Sequence, residues 1–114
     1  MKYLAFAAAL LTTPAIAEET RLTGPEIQEL LPTIVVTGNQ TWQNFDLNGD
    51  TRYDDARGPS HGWWDVRGNQ YCSAWGSREP SYWSCYQVWR DGETLIWTND
   101  SGHRTENHIQ PRQN

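Results

Sequence analysis

The chain has 114 residues, with nine Lys plus Arg against fourteen Asp plus Glu and a formal net charge of −5. Such an acidic balance excludes the basic footprint of a nucleic-acid-binding domain and disfavours an anionic membrane surface. No segment approaches the roughly 20 consecutive apolar residues of a membrane-spanning helix, so no membrane insertion is expected.

In chain order, residues 1–17 carry one cation, Lys2, then an apolar run from Leu4 to Leu11, Pro14 and Ala15-Ile16-Ala17 ahead of Glu18 and Glu19. This pattern predicts a secretory signal cleaved after Ala17, with residues 18–114 released as a single domain into the periplasm or the medium. No cysteine follows the cleavage motif, so lipid attachment there is not expected. Without Lys2 the domain holds eight Arg and no Lys against the fourteen acids, a net charge of −6. Its 97 residues suffice for one core. With only thirteen Ile, Leu and Val, that core must draw on Trp and Tyr, each able to bury ~150–250 Å².

Glu18 to Leu22 reads as a polar lead-in. Thr23-Gly24-Pro25-Glu26 then offers a capping box with an early proline, Ile27, Leu30 and Leu31 follow at helical spacing, and Pro32 is a stop. The predicted helix, Gly24 to Leu31, is too short to stand alone and must pack on a sheet. Ile34-Val35-Val36 is a β-branched strand broken at Gly38-Asn39. Beyond it, aromatic runs alternate with turn residues at about eight to ten residues per strand, the pattern of a small antiparallel meander, barrel or sandwich. The first hairpin turns within Asp46 to Asp50, and a three-residue loop opposing Phe45 to Tyr53 is expected from that aromatic pair. The polar tail after His103 is expected to be weakly ordered.

Gly62 to Trp97 concentrates six of the seven tryptophans, three tyrosines and both cysteines. A Gly68-Asn69 loop pairs Val66 with Tyr71 and Trp64 with Ser73, and an Asp91-Gly92 loop pairs Val88 with Leu95 and Tyr86 with Trp97. A Cys72–Cys85 disulfide, the simplest use of two cysteines in an exported domain, aligns Tyr71 with Tyr86 and Trp75 with Tyr82. Alternation then places Trp64, Val66, Tyr71, Trp75, Tyr82, Tyr86, Val88, Leu95 and Trp97 on one face, the expected core. The opposite face carries Trp63, Cys72, Cys85, Trp83, Gln87, Trp89 and Ile96. Either the N-terminal helix and first strand cover it, or Trp63, Trp83 and Trp89 form an exposed ligand platform.

The succession Glu26-Ile27 with Leu30-Leu31, Trp42 and Phe45 before Gly49, Gly62-x-Trp64-x-Val66, Cys72-x-x-Trp75 and Cys85-Tyr86-x-Val88-x-x-Asp91-Gly92 resembles a group of small exported bacterial proteins of unknown function. The likeness spans nearly all of residues 18–114. It implies fold and compartment, and no catalytic residue is carried over by it.

Asp46-x-Asn48-x-Asp50 opens like a calcium loop, but Thr51 and Arg57 stand where glycine and glutamate are needed, so a polar turn is expected. His61, His103 and His108 lack the spacing that aligns two nitrogens on one metal, and no metal or cofactor is assigned. A hydrolase would need a pocket joining Asp54 or Asp55 to His61. The expectation is therefore a non-catalytic exported binding domain for a small ligand, glycan or envelope protein. The alternative is an inhibitor or interaction module that presents the Gly76 to Ser81 turn with Arg78 as its anchor.

Overall fold

The computed structural model describes residues 18–113, so the leader expected at 1–17 lies outside the described residues. Strand β1 (Thr20–Arg21) leads into helix α1 (Gly24–Leu30) and a 3₁₀ turn (Leu31–Thr33). Eight strands follow: β2 (Ile34–Gly38), β3 (Thr41–Phe45), β4 (Asp50–Asp55), β5 (Gly58–Arg67), β6 (Gln70–Trp75), β7 (Trp83–Asp91), β8 (Thr94–Thr98) and β9 (Arg104–Pro111). From β2 onward each strand pairs antiparallel with the next, and β9 returns to β2. The meander thus closes into an eight-stranded up-and-down barrel, an architecture without free sheet edges. The expected tail is one of its staves. Thr105, Asn107 and Ile109 share one face of β9, and Val36 pairs with Ile109 across the closing seam.

Glycines set the turns. Gly68 opens the Gly68-Asn69 loop at φ +60°, the first position of a type II′ hairpin, and fixes the expected pairs Val66–Tyr71 and Trp64–Ser73. The last hairpin is shifted by one residue. Its loop is Gly92-Glu93, with Gly92 at φ +59°, so Val88 faces Trp97 and Arg90 faces Leu95. The first hairpin also differs from expectation. Gly49 at φ +98° ends a Leu47-Asn48-Gly49 loop, Asp46 N–H donates to Asp50 O (2.8 Å), and Phe45 faces Thr51 while Gln43 faces Tyr53. A three-residue loop needs its left-handed residue in last place, and the glycine decides the register over the aromatic pairing. Cys72 and Cys85 face each other and form the disulfide.

The capping box is present: Glu26 N–H donates to Thr23 Oγ1, and Thr23 N–H donates to Glu26 Oε1 (2.8 Å). The helix does not cover the outer sheet face. It plugs one end of the barrel, where Gly24 N–H donates to Asn69 Oδ1 (2.7 Å) and fully buried Ile27 and Leu31 enter the core. The reason is the apolar stripe of α1, which finds its match in Ile34, Val36, Phe45, Trp64, Val88, Leu95 and Ile109 at that end of the lumen. β1 fills the seam where the β6–β7 ladder stops at Tyr71–Tyr86, pairing Thr20 with Arg90 and Arg21 with Trp89. Of the expected core face, Tyr82 departs. It sits in the 3₁₀ turn Pro80–Tyr82 and is 51 % exposed.

Candidate functional site

Side chains that alternate into a barrel of eight strands must fill it or leave a pocket. Here the two halves differ. In the plugged half Phe45 is fully buried, edge-on to Trp64, Tyr71 and Trp97 at centroid distances of 5.8, 5.7 and 6.3 Å. Trp64 Nε1–H is satisfied by Asp46 O (2.9 Å). In the opposite half the inward side chains do not fill the lumen and leave a cavity of about 730 Å³ open to solvent. Its walls carry the rings of Tyr53, Trp75, Tyr86 and Trp97, with Thr105 and Asn107 from β9. Tyr53 meets Trp75 edge-on at 6.1 Å, and Tyr86 lies beside His103 at 5.6 Å.

A nearly buried polar belt of Gln43, Thr51, Tyr71 and Ser73 separates the two halves. Thr51 Oγ1 donates to Asn44 O (2.6 Å), which spends its proton. Gln43 must therefore present its NH₂ to Thr51 Oγ1 (3.0 Å), and the same Nε2 donates to Tyr71 OH (3.2 Å). The amide orientation is thereby fixed, and among the described residues no group donates to Gln43 Oε1. Trp75 Nε1–H donates to Ser73 Oγ (3.3 Å). Burial pushes the Tyr71 phenol up to about 12, against smaller downward pulls from Ser73 and Gln43, so it stays a neutral hydroxyl at physiological pH. Higher on the wall, the buried Nδ2 of Asn107 has no hydrogen-bond partner. The Thr41 hydroxyl and Asn107 Oδ1 fill the space beside Gly38, where a Cβ would lie 2.6 Å from Thr41 Oγ1.

The rim is charged. Arg57 N–H donates to Asp55 Oδ1 (2.8 Å) and Arg57 Nη2 to Oδ2 (3.3 Å), which together hold the Asp55 carboxyl below its ordinary range. Outside, Arg104 binds Glu19 and Glu106, which raises its already high pKa further.

Asp55 and His61 both border the cavity, the juxtaposition a hydrolase reading asks for. Asp55 is however engaged by Arg57, while the His61 ring turns to Asp50 (Nε2 to Oδ1 3.5 Å) and the edge of Trp63. Asp54 is not part of the wall. Trp63, Trp83 and Trp89 lie on the outside of the barrel, half-buried, each with an arginine over its ring. Arg78 stands 5.6 Å from the Trp63 centroid, Arg67 4.3 Å from Trp83 and Arg21 5.8 Å from Trp89. Trp63 and Trp83 flank Ala74 in register and bury it completely. Arg78, in the turn after β6, also accepts the Trp83 Nε1–H through its carbonyl (2.9 Å). The Asp46-x-Asn48-x-Asp50 turn is closed by its own bonds, with Asp50 N–H donating to Asn48 Oδ1 (3.0 Å) and Arg112 bound to Asp46.

Sequence reasoning had Tyr71, Trp75, Tyr86 and Trp97 on the inner face. It missed Gln43, Tyr53, Thr105 and Asn107, whose signal was the period-two run Gln43/Phe45, Thr51/Tyr53/Asp55 and Thr105/Asn107/Ile109. Comparison of the chain with protein-family models, with curated proteins and with solved structures gives no match.

Proposed function

We propose that this protein is an exported, non-catalytic binding protein that holds one small amphipathic molecule in the open half of its barrel. The observation that carries the reading is the cavity of about 730 Å³, walled by four aromatic rings and floored by a fixed polar belt. It falls within the range of about 300–1,000 Å³ typical of small-molecule sites, and eight-stranded barrels are wide enough for one such ligand. The ligand lays its apolar surface on Trp75, Tyr86 and Tyr53 and turns a polar end to the belt or the rim. Export is supported by the sequence of residues 1–17 and by the Cys72–Cys85 bond, which suits an oxidising compartment. Outward positions such as Asp65, Arg67, Arg104 and Glu106 carry paired charges in place of the apolar band of a membrane barrel, which favours a barrel surrounded by water.

The test is one-to-one binding of the fluorescent reporter N-phenyl-1-naphthylamine. Thr105→Trp, which fills the cavity from its wall, should abolish binding while leaving the far-ultraviolet circular dichroism unchanged. Binding that ignores this variant would remove the proposal.

A second reading is favoured by the outer surface. Leu47, 83 % exposed, borders a groove of about 310 Å³ with Trp63, Trp83 and Arg78. In this reading the turn from Gly76 to Ser81 docks on an envelope protein through Arg78. Partner capture unchanged by Arg78→Ala would discard it.

A further inference from the structure

The aromatic rings outside the barrel and those inside it differ in one respect. Outside, Trp63, Trp83 and Trp89 each carry an arginine, at 5.6, 4.3 and 5.8 Å from the ring centroid. Inside, among the described residues, no guanidinium lies over Tyr53, Trp75, Tyr86 or Trp97. Tyr53 and Trp75 meet at 6.1 Å with their planes 70° apart and so form a corner of two rings, and half-buried Tyr86 lines the same space. Ring faces carry the negative part of the aromatic quadrupole, and rings set at an angle attract a cation between them. The surrounding charge has the same sense. Two carboxylates, Asp55 and Glu106, border the cavity along with the imidazoles of His61 and His103 and one guanidinium, Arg57, whose side chain is 91 % exposed. Residues 18–114 hold eight Arg against fourteen acids, a balance that draws cations and repels anions. The kind of cation follows from hydrogen bonding. Asp55 is engaged by Arg57 and Glu106 by Arg104, and the belt of Gln43, Thr51, Tyr71 and Ser73 is neutral. An ammonium with N–H groups would leave water and find no free carboxylate here, whereas a quaternary ammonium has no N–H to satisfy and packs its methyl groups on the rings.

Resting on the binding-protein reading above, we propose that the open half of the barrel is an aromatic cage for the quaternary ammonium group of a small amphipathic molecule. The trimethylammonium head sits in the corner of Tyr53 and Trp75, and the rest of the molecule occupies the lumen beside Tyr86. Selection is by positive charge without hydrogen-bond donors.

Three water-soluble probes separate the contributions: choline; 3,3-dimethylbutan-1-ol, in which carbon replaces the quaternary nitrogen at constant shape; and ethanolammonium, which keeps the charge and exchanges the methyl groups for N–H donors. Isothermal titration calorimetry of the oxidised protein at neutral pH reads each affinity. Choline should bind at least about tenfold more tightly than either of the others, the effect of a desolvated cation–π contact. Trp75→Leu and Tyr53→Leu, which keep apolar bulk and remove a ring face, should each weaken choline about tenfold and leave the carbon isostere unchanged. Because the comparison of ligands on the unaltered chain is decisive alone, a variant that fails to fold does not rescue the idea. Equal affinity for choline and its carbon isostere, or for choline and ethanolammonium, would overturn the quaternary-ammonium cage while leaving the binding-protein reading in place. So would failure of all three probes where N-phenyl-1-naphthylamine binds. Failure of all three together with failure of N-phenyl-1-naphthylamine would overturn both.

Discussion

The division of the barrel into a packed half and an open half makes opposite demands on two aromatic truncations. Phe45 is wholly buried and touches three rings edge-on. Phe45→Ala removes that packing in a region sealed by Ile27 and Leu31, where the void cannot be reached by water. Core Phe→Ala changes cost about 3–5 kcal/mol, and the loss of three edge contacts places this one near the upper end, about 4–5 kcal/mol. That is a large share of the ~5–15 kcal/mol available to a domain of this size. At about 4–8 °C per kcal/mol, the midpoint of thermal unfolding should fall by at least about 16 °C. Tyr86 shares the inward face of β7 with Val88 but lines the cavity and is only half-buried. Its truncation enlarges a space already open to solvent, and Tyr86→Ala should cost no more than about 1–2 kcal/mol. Urea unfolding of both oxidised variants, followed by far-ultraviolet circular dichroism, measures the difference. Equal costs at the two positions would mean that the mouth is packed in solution, and the reasoning from an open half would fail.

Gly62→Ala should lower stability by about 1–3 kcal/mol and weaken reporter binding, because the new Cβ would sit 2.5 Å from the Trp75 ring and 2.6 Å from Ala74 O, forcing the indole into the cavity; calorimetry and a reporter titration on one sample check both effects. Thr23→Ala removes the oxygen that receives Glu26 N–H, and a loss of about 0.5–2 kcal/mol in chemical unfolding is expected, with the signal of the plugged half unchanged in shape. Reducing Cys72–Cys85, which closes a separation of 13 residues, should cost about 3 kcal/mol of unfolding free energy; no change in urea midpoint on adding reductant would refute this. Tyr71 ionises later in the folded chain than in the unfolded one, so its contribution is intact below about pH 10 and is lost as pH rises from there towards about 12. Absorbance at the tyrosinate band should show one late-titrating tyrosine that Tyr71→Phe removes, and stability that does not decline over that interval would contradict the burial argument.

Much of the architecture is readable from residues with a single physical use. Gly68 could only open its turn, and Thr23, Pro25 and Glu26 could only start a helix, so those elements lie where expected. The Gly92 turn slipped by one residue because both registers leave Val88, Leu95 and Trp97 on the inner face; hydrophobic alternation cannot separate them, and only the backbone angle at Gly92 does. β9 is hidden by the polarity of its inner face. A strand that lines a wet cavity shows Thr105 and Asn107 where a core strand would show apolar residues, and Ile109 alone carried the apolar signal. The same polarity concealed Gln43. The destination of α1 was illegible because an apolar stripe says that a helix must be covered, and not whether a sheet face or a barrel end will cover it.

The most direct test of the central claim is a titration with N-phenyl-1-naphthylamine across two sets of variants. The inner set is Trp75→Phe, Tyr86→Ala and Thr105→Trp; the outer set is Trp63→Phe, Trp83→Phe and Trp89→Phe. A ligand held in the lumen requires that binding fall in the inner set and persist in the outer one. Binding lost with the outer indoles and retained with the inner variants would place the site on the barrel's exterior and contradict the account.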